Sequence, residues 1–333
     1  MGLRLPAFRL VKDGDTLPPA RYTKTTRTGS QEATGVIDSA GVFREFADGA
    51  TIVFQSMHRY WAALADYCRG LELALGHPVQ ANAYITPPGA QGFGAHEDEH
   101  DVFVLQSHGT KQWWVHERHD LPPSRPPLID ALLAPGDTLY VPAGFPHSAS
   151  TQERASVHIT IGILTLTWAA ALKEAVKVIE SDPALAAPIP LRFAFEDGVF
   201  IEELERRLEQ VGASVADLDA ETIARRLRRN VLTTRQPLLR GQIHRLLDLE
   251  RISDETVVAR RSGSICVLDT ISGELSVLLG DRELRMPLVA EAAMNLIASG
   301  ESVAVADLPG LDQPGRLVLV RRLIREGLLE VVD

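Results

Sequence analysis

The chain reads as an α+β protein: a small antiparallel barrel of the jelly-roll kind, then a helical stretch, then a compact module of strands and helices. Three observations predict this. Between residues 82 and 163, short β-branched and aromatic runs alternate with Pro, Gly and polar turns. After Trp168 the apolar spacing changes to steps of three and four. From about Val257 strands return between Ser-Gly and Gly-Asp turns, and helical runs close the chain.

Taken in order, the stretch up to about Thr51 is rich in Gly, Thr, Pro and charge. It has no sustained periodicity and reads as a loosely structured lead-in with at most one strand. Trp61, Leu64, Cys68, Leu71 and Leu75 predict a helix over 60–75, with Gly76 and Pro78 as its stop signal. The runs 82–86, 102–106, 111–115, 137–141 and 156–163 read as strands. In the last, Ser156, His158, Thr160 and Gly162 take one face and Val157, Ile159, Ile161 and Ile163 the other. Small polar groups inside and isoleucines outside suit a cupin-like jelly roll, a double-stranded β-helix enclosing a polar site.

Beyond the barrel, three apolar stripes read as helices: Leu172, Val176 and Ile179; Ile201, Leu204, Leu208 and Val211; Leu239, Ile243 and Leu246. The strands after Val257, with a helix starting near Pro287 and a final helix–Gly327–strand, predict a winged-helix-like end. The expected divisions are 1–168, 169–254 and 255–333.

The 45% hydrophobic and 23% charged content is that of an ordinary globular protein, and no run approaches the roughly 18–20 apolar residues of a membrane span. The N-terminus lacks an apolar secretory core, and the only cysteines, Cys68 and Cys266, lie far apart. A cytoplasmic protein with free thiols is expected. The net charge of −10 argues against nucleic acid and suits a basic partner. The C-terminal module fits that view, with eight Arg against eleven Asp or Glu from Arg260 onward.

The chemistry concentrates in GAHEDEHDVFVLQ and PGDTLYVPAGFPH. In an extended chain His96 and Asp98 share one face, about 6–7 Å apart. His147, after a strand and a Pro/Gly turn, supplies a third ligand. Two histidines and one carboxylate form the facial triad of non-haem Fe(II) oxygenases. Zinc hydrolases use the same ligand types, so these alone do not settle the metal. His100, His108, His116 and His119 crowd the same region, and His158 reads equally as a core histidine.

His-x-Asp, the Gly-x-Lys-x-Trp strand and Pro-Gly-Asp-x-Leu-Tyr-x-Pro…His fall in order between about Asn82 and Trp168. In this the chain resembles the JmjC-type ribosomal oxygenases, protein hydroxylases dependent on Fe(II), 2-oxoglutarate and O2. The resemblance implies that His96, Asp98 and His147 hold iron. Lys111, fifteen positions after the first histidine, would pair with the distal carboxylate of 2-oxoglutarate. An ammonium inside a barrel makes physical sense only with an anion to neutralise it. Asn82, Tyr84 and Thr160 match positions lining the cosubstrate pocket. The resemblance also implies a JmjC barrel followed by a helical dimerisation region and a winged helix, hence a homodimer.

Two departures bear on the substrate. Glu97 stands where relatives carry an aromatic or apolar residue, and Gly162 replaces a hydroxyl residue that contacts the cosubstrate. Hydroxylation of an Arg or His side chain of a ribosomal protein is the expected activity. The acidic residues Glu97, Glu99, Asp101, Glu117 and Asp120 near the triad would favour such a basic protein or peptide. The competing readings are the same chemistry on a small molecule or peptide natural product, a histone-type lysyl demethylase, and a non-catalytic cupin-like binding protein.

Overall fold

The computed structural model describes residues 5–180, 182–195 and 197–332, and the chain folds as two compact units, 1–165 and 166–333. In the first unit the N-terminal stretch is far more ordered than its composition predicts. It contains β1 (Phe8–Lys12), β2 (Asp15–Thr16), β3 (Thr23–Thr28), β4 (Gln31–Ile37), α1 (Ser39–Ala47) and β5 (Thr51–Phe54). Phe8, Leu10, Tyr22, Val42 and Ile52 bury together as a local core. The Asp38 carboxylate caps α1 by accepting from Gly41 N at 3.2 Å. Gly41 is required there, because a Cβ would stand 2.7 Å from the Arg21 carbonyl oxygen.

The helix predicted over 60–75 is α2 (Ala62–Leu75), closed by Gly76 in the left-handed conformation at φ +69°. Leu64, Cys68 and Leu71 pack on the sheet, whereas Trp61 and Leu75 at the ends of the stripe stay exposed. The five predicted strands appear as β6 (Val79–Thr86), β7 (Asp101–His108), β8 (Lys111–Val115), β10 (Thr138–Val141) and β12 (Ser156–Ile163). Two more, β9 (Ile129–Leu133) and β11 (His147–Thr151), complete the barrel.

These strands make two antiparallel sheets, ordered β10-β7-β12-β6-β5-β1-β2 and β11-β8-β9. Their inner faces meet through Val102, Val104, Leu139 and Val141 on one side and Trp113, Val115, Leu133 and Ala149 on the other. On the outer face Ile161 lies under α2 with Val79 and Ala81. Fully burying one such isoleucine contributes ~1.5–3 kcal/mol, which strongly favours a single strand register. That register pairs Arg9 with Val53, Val53 with Tyr84, Tyr84 with His158 and His158 with Gln106. Directly opposed residues share a face, so this row runs across the barrel interior.

The second unit begins with α3 (Trp168–Ile179), α4 (Asp197–Ala216), α5 (Ala220–Leu232) and the short α6 (Gln242–Leu247). The first two stripes fall on α3 and α4, and the third straddles α6; α5 had no counterpart in the reading. Strands β13 (Val257–Arg260), β14 (Val267–Ile271), β15 (Glu274–Leu278) and β16 (Glu283–Pro287) follow. They are joined by α7 (Glu291–Ser299), β17 (Val303–Ala304), α8 (Gln313–Arg325) and β18 (Leu329–Val331). Val258, Leu275, Met294, Ile297, Val320 and Leu323 centre the core of this end. Among the described residues no helix is long and apolar enough to cross a membrane.

Candidate metal centre

His96 and His147 are brought together by the backbone. His96 N donates to His147 O at 3.1 Å and His147 N donates to His96 O at 2.8 Å, an antiparallel bridge at the first residue of β11. The ring centroids consequently lie 4.4 Å apart. Asp98 follows on the same chain, its own carbonyl accepting from Gly144 N at 2.8 Å, and its Oδ2 stands 3.8 Å from His147 Nε2. One ligand atom from each of His96, Asp98 and His147 falls within 4.8 Å of the others. Glu97 and Glu99 are exposed while His96, Asp98 and His100 turn into the cavity, as alternation requires.

The ring tautomers suit a metal. Nδ1 of His96 donates to Gly94 O at 2.9 Å and Nδ1 of His147 to Phe145 O at 3.0 Å. A proton held on Nδ1 leaves the Nε2 lone pair for coordination. Burial, and then the neighbouring His96, lower the pKa of His147 and favour the neutral form a ligand needs.

Lys111, the first residue of β8, is 4% exposed. Its ammonium donates to Thr86 Oγ1 at 3.0 Å and lies 6.0 Å from the Trp113 ring centroid. No carboxylate pairs with it among the described residues, and burial alone pulls its pKa down to about 7. A buried cation with no counter-charge is the feature an anionic cosubstrate would resolve.

Tyr84 stacks on His158, and burial raises the pKa of its phenol although Thr160 and Asn82 hydrogen-bond to it. Asn82 Oδ1 also accepts from Ser56 N at 3.0 Å. All seven residues singled out from the sequence, namely His96, Asp98, His147, Lys111, Tyr84, Asn82 and Thr160, line one cavity of about 230 Å3.

The cavity also holds residues that the sequence did not assign to it. His158 is 3% exposed with Nδ1 lacking a hydrogen-bond partner among the described residues, and its signal in the sequence was its place on the polar face of β12. Arg9, with its guanidinium carbon 5.0 Å from the Phe93 ring centroid, and Thr51 carried no signal at all. Gln106 braces the turn after β7, its Nε2 donating to Ser156 Oγ at 2.9 Å and Gly109 O at 3.0 Å. Trp113 is a buried wall of the cavity.

Two imidazoles and a carboxylate beside an unmatched ammonium fit a divalent metal with a chelating dicarboxylate. Comparison with known proteins agrees in fold. Residues 59–171 match the family model described as JmjC domain. The bifunctional lysine-specific demethylase and histidyl-hydroxylase NO66 of Drosophila simulans is 31% identical over 167 residues, 44% of this chain and 20% of that protein. The protein of the same name from Branchiostoma floridae is 32% identical over 204 residues, 59% of this chain and 30% of its own length. The chain thus spans less than a third of these curated relatives.

Among solved structures, the ribosomal oxygenase YcfD from Escherichia coli in complex with cobalt and 2-oxoglutarate superposes with a TM-score of 0.56 at 17% identity. That match covers 98% of this chain and 86% of that one, so the likeness in fold extends through both units. With its His-x-Asp and distant histidine gathered at one cavity, this chain carries a JmjC domain over residues 59–171.

Proposed function

We propose that this chain is an Fe(II)- and 2-oxoglutarate-dependent oxygenase that hydroxylates a protein side chain in the cytoplasm. The observation that carries the reading is the pairing of a three-ligand cluster with Lys111, a buried ammonium that has no acid of its own among the described residues. Iron, with 2-oxoglutarate and O2, would supply the oxidation of an unactivated C–H to C–OH, the keto acid leaving as succinate and CO2. The chain's own residues do the rest. His96, Asp98 and His147 would hold the metal, and Lys111 would anchor the distal carboxylate. Tyr84, Asn82 and Thr160 would shape the cosubstrate bed, and the buried walls from Trp113 to His158 would exclude water.

A ribosomal protein is the proposed substrate, in keeping with the description of the Escherichia coli structure as a ribosomal oxygenase. Histidine is favoured over arginine as the acceptor. Arg9 and Lys111 both line the cavity, and Asp98, the one acid among its described lining residues, would be committed to the metal. A guanidinium entering there would find no free carboxylate, whereas a neutral imidazole meets no such penalty. The relatives are themselves named bifunctional lysine-specific demethylases and histidyl-hydroxylases, and histidine is the hydroxylated residue in that name.

Support for a basic partner rests on a narrower set of acids than the sequence suggested. Glu117 pairs with Arg125, Glu97 with His119 at 3.3 Å, and Asp120 binds Ser124. Asp101 accepts from Ala143 N at 2.9 Å, which leaves Glu99 as the most open charge at the mouth.

The second unit would serve assembly. The exposed apolar stripes of α3 and α4 are proposed to pair two copies, with 169–254 as dimerisation region and 255–333 as a winged-helix-like end.

The test is intact-mass and peptide mapping of ribosomal proteins incubated with the iron-loaded protein, 2-oxoglutarate and O2. One added oxygen atom on a histidine is expected, lost in His147→Ala. It should be weakened by salt and by Glu99→Lys, given a Debye length of ~8 Å at physiological ionic strength. Full turnover by His147→Ala with unchanged iron content overturns the metal assignment. Oxidation of arginine only, or indifference to both salt and charge reversal, overturns the substrate reading and leaves the iron chemistry standing.

A further inference from the structure

Thr51 opens β5, outside the segment that matches the JmjC family, yet it lines the cavity while being 1% exposed. Its hydroxyl lies 3.1 Å from Thr86 Oγ1, the same oxygen that accepts from Lys111 at 3.0 Å. Lys111 Nζ and Thr51 Oγ1 therefore share one fully buried hydroxyl and lie within about 6 Å of each other, a separation one carboxylate can bridge with two hydrogen bonds. Hydroxyl protons rotate freely. Thr51 donates to Thr86 here, and rotation of both hydroxyls, so that Lys111 donates to Thr86 and Thr86 to Thr51, turns the Thr51 proton into the cavity. All three donors then run in one direction, an arrangement in which each bond polarises the next.

The backbone has made room for this hydroxyl. A Cβ at Gly92 would stand 2.8 Å from Thr51 Oγ1 and 3.2 Å from its Cβ. Gly92 cannot readily retreat, since its carbonyl accepts from Gly14 N at 2.8 Å.

We propose that Thr51 is a further cosubstrate-anchoring residue, whose hydroxyl donates to the distal carboxylate of 2-oxoglutarate beside Lys111. This rests on the oxygenase reading above. It deepens that reading by placing one anchor on a strand beyond the family segment.

The experiment is calorimetric titration of the full chain, loaded with redox-inert Mn(II), with 2-oxoglutarate and with pyruvate. Pyruvate keeps the 2-oxo acid and lacks the distal carboxylate. Thr51→Val, which preserves shape, is expected to weaken 2-oxoglutarate about ten-fold, the loss of one hydrogen bond to a charged group. Pyruvate should be unchanged, and Thr51→Ser should restore the wild-type value. Gly92→Ala, which displaces the hydroxyl without removing it, should reproduce the Thr51→Val result. Equal 2-oxoglutarate affinity in Thr51→Val, or an equal loss for pyruvate, overturns the assignment of Thr51 and leaves the oxygenase reading intact. A wild-type protein that binds Mn(II) but not 2-oxoglutarate overturns both.

Discussion

Tyr84 and His158 stack face to face inside the barrel, their ring centroids 4.6 Å apart and their planes parallel. The pairing is set by register, since the two residues oppose each other across β6 and β12. Trp113 from the facing sheet closes edge-on against the imidazole at 5.2 Å. Burial, and then the charge of Lys111, push the pKa of His158 well down, so the stack is uncharged. His158 acts here as an aromatic plate whose Nδ1 has no hydrogen-bond partner among the described residues.

His158→Phe is accordingly expected to hold stability within ~1 kcal/mol, because stacking is kept and an unsatisfied polar atom is removed. His158→Ala opens a cavity between Tyr84 and Trp113 and should cost ~3 kcal/mol. Urea denaturation of the two variants is the check, and a large loss in the phenylalanine variant would assign the imidazole nitrogens a structural bond.

Lys111 makes cosubstrate binding a proton-linked event. With its pKa near 7 rather than 10.5, a good part of the population is neutral above pH 7 when no anion is present. A carboxylate arriving beside it restores the charge, so 2-oxoglutarate should bind with proton uptake, visible as a buffer-dependent binding enthalpy between pH 7 and 9. Lys111→Met should abolish the uptake.

The same group affects stability in the opposite sense. Its pKa is lowered by folding, so between about 7 and 10.5 the unfolded chain binds the extra proton and stability rises with pH. Without cosubstrate, Lys111→Met should therefore stabilise the protein most below pH 7, on the order of a few kcal/mol, with the gain vanishing above about pH 10.5. Thermal melts across that range read it directly.

Gly162 and His100 should behave as a coupled pair. A Cβ at position 162 would meet His100 Nε2 at 2.7 Å and Cδ2 at 2.8 Å. Gly162→Ala is expected to drive the imidazole from the cavity wall at a cost of ~1 kcal/mol, recovered when His100→Ala is added. A double-mutant cycle showing additive effects would mean that the glycine is tolerated for another reason.

In the second unit, Trp168 is 87%, Leu172 64% and Leu208 60% exposed in the single chain. Light scattering at micromolar concentration should give a dimer, and Leu172→Glu with Leu208→Glu should give a folded monomer.

The metal cluster was legible because its constraint is local: one alternating tripeptide, plus a histidine behind a Pro/Gly turn, fixes all three ligands. Lys111 was legible from the resemblance and from the improbability of an ammonium at an inward strand position. The N-terminal wall was not. The polar hairpin of β3 and β4 shows no apolar alternation, and β1 is a five-residue strand whose partner, β5, lies about forty residues on. Arg9 and Thr51 reach the cavity only through that long-range pairing, which leaves no periodic trace in the sequence. Helix α5 escaped although Ile223, Leu227 and Val231 recur at four-residue steps and lie half-buried; its Arg and Glu residues mask a stripe that the sequence does contain.

The sheet order has a practical consequence. Because β5 and β1 extend the sheet beyond β6, a polypeptide trimmed to the recognisable 59–171 segment would leave β6 as a bare edge. It would offer unpaired amides beside buried valine and alanine to any neighbouring chain. Such a fragment invites strand-to-strand association, and it would lack the wall that carries Arg9 and Thr51. The smallest piece able to fold cleanly around this cavity is thus larger than its family signature and has to start before Phe8.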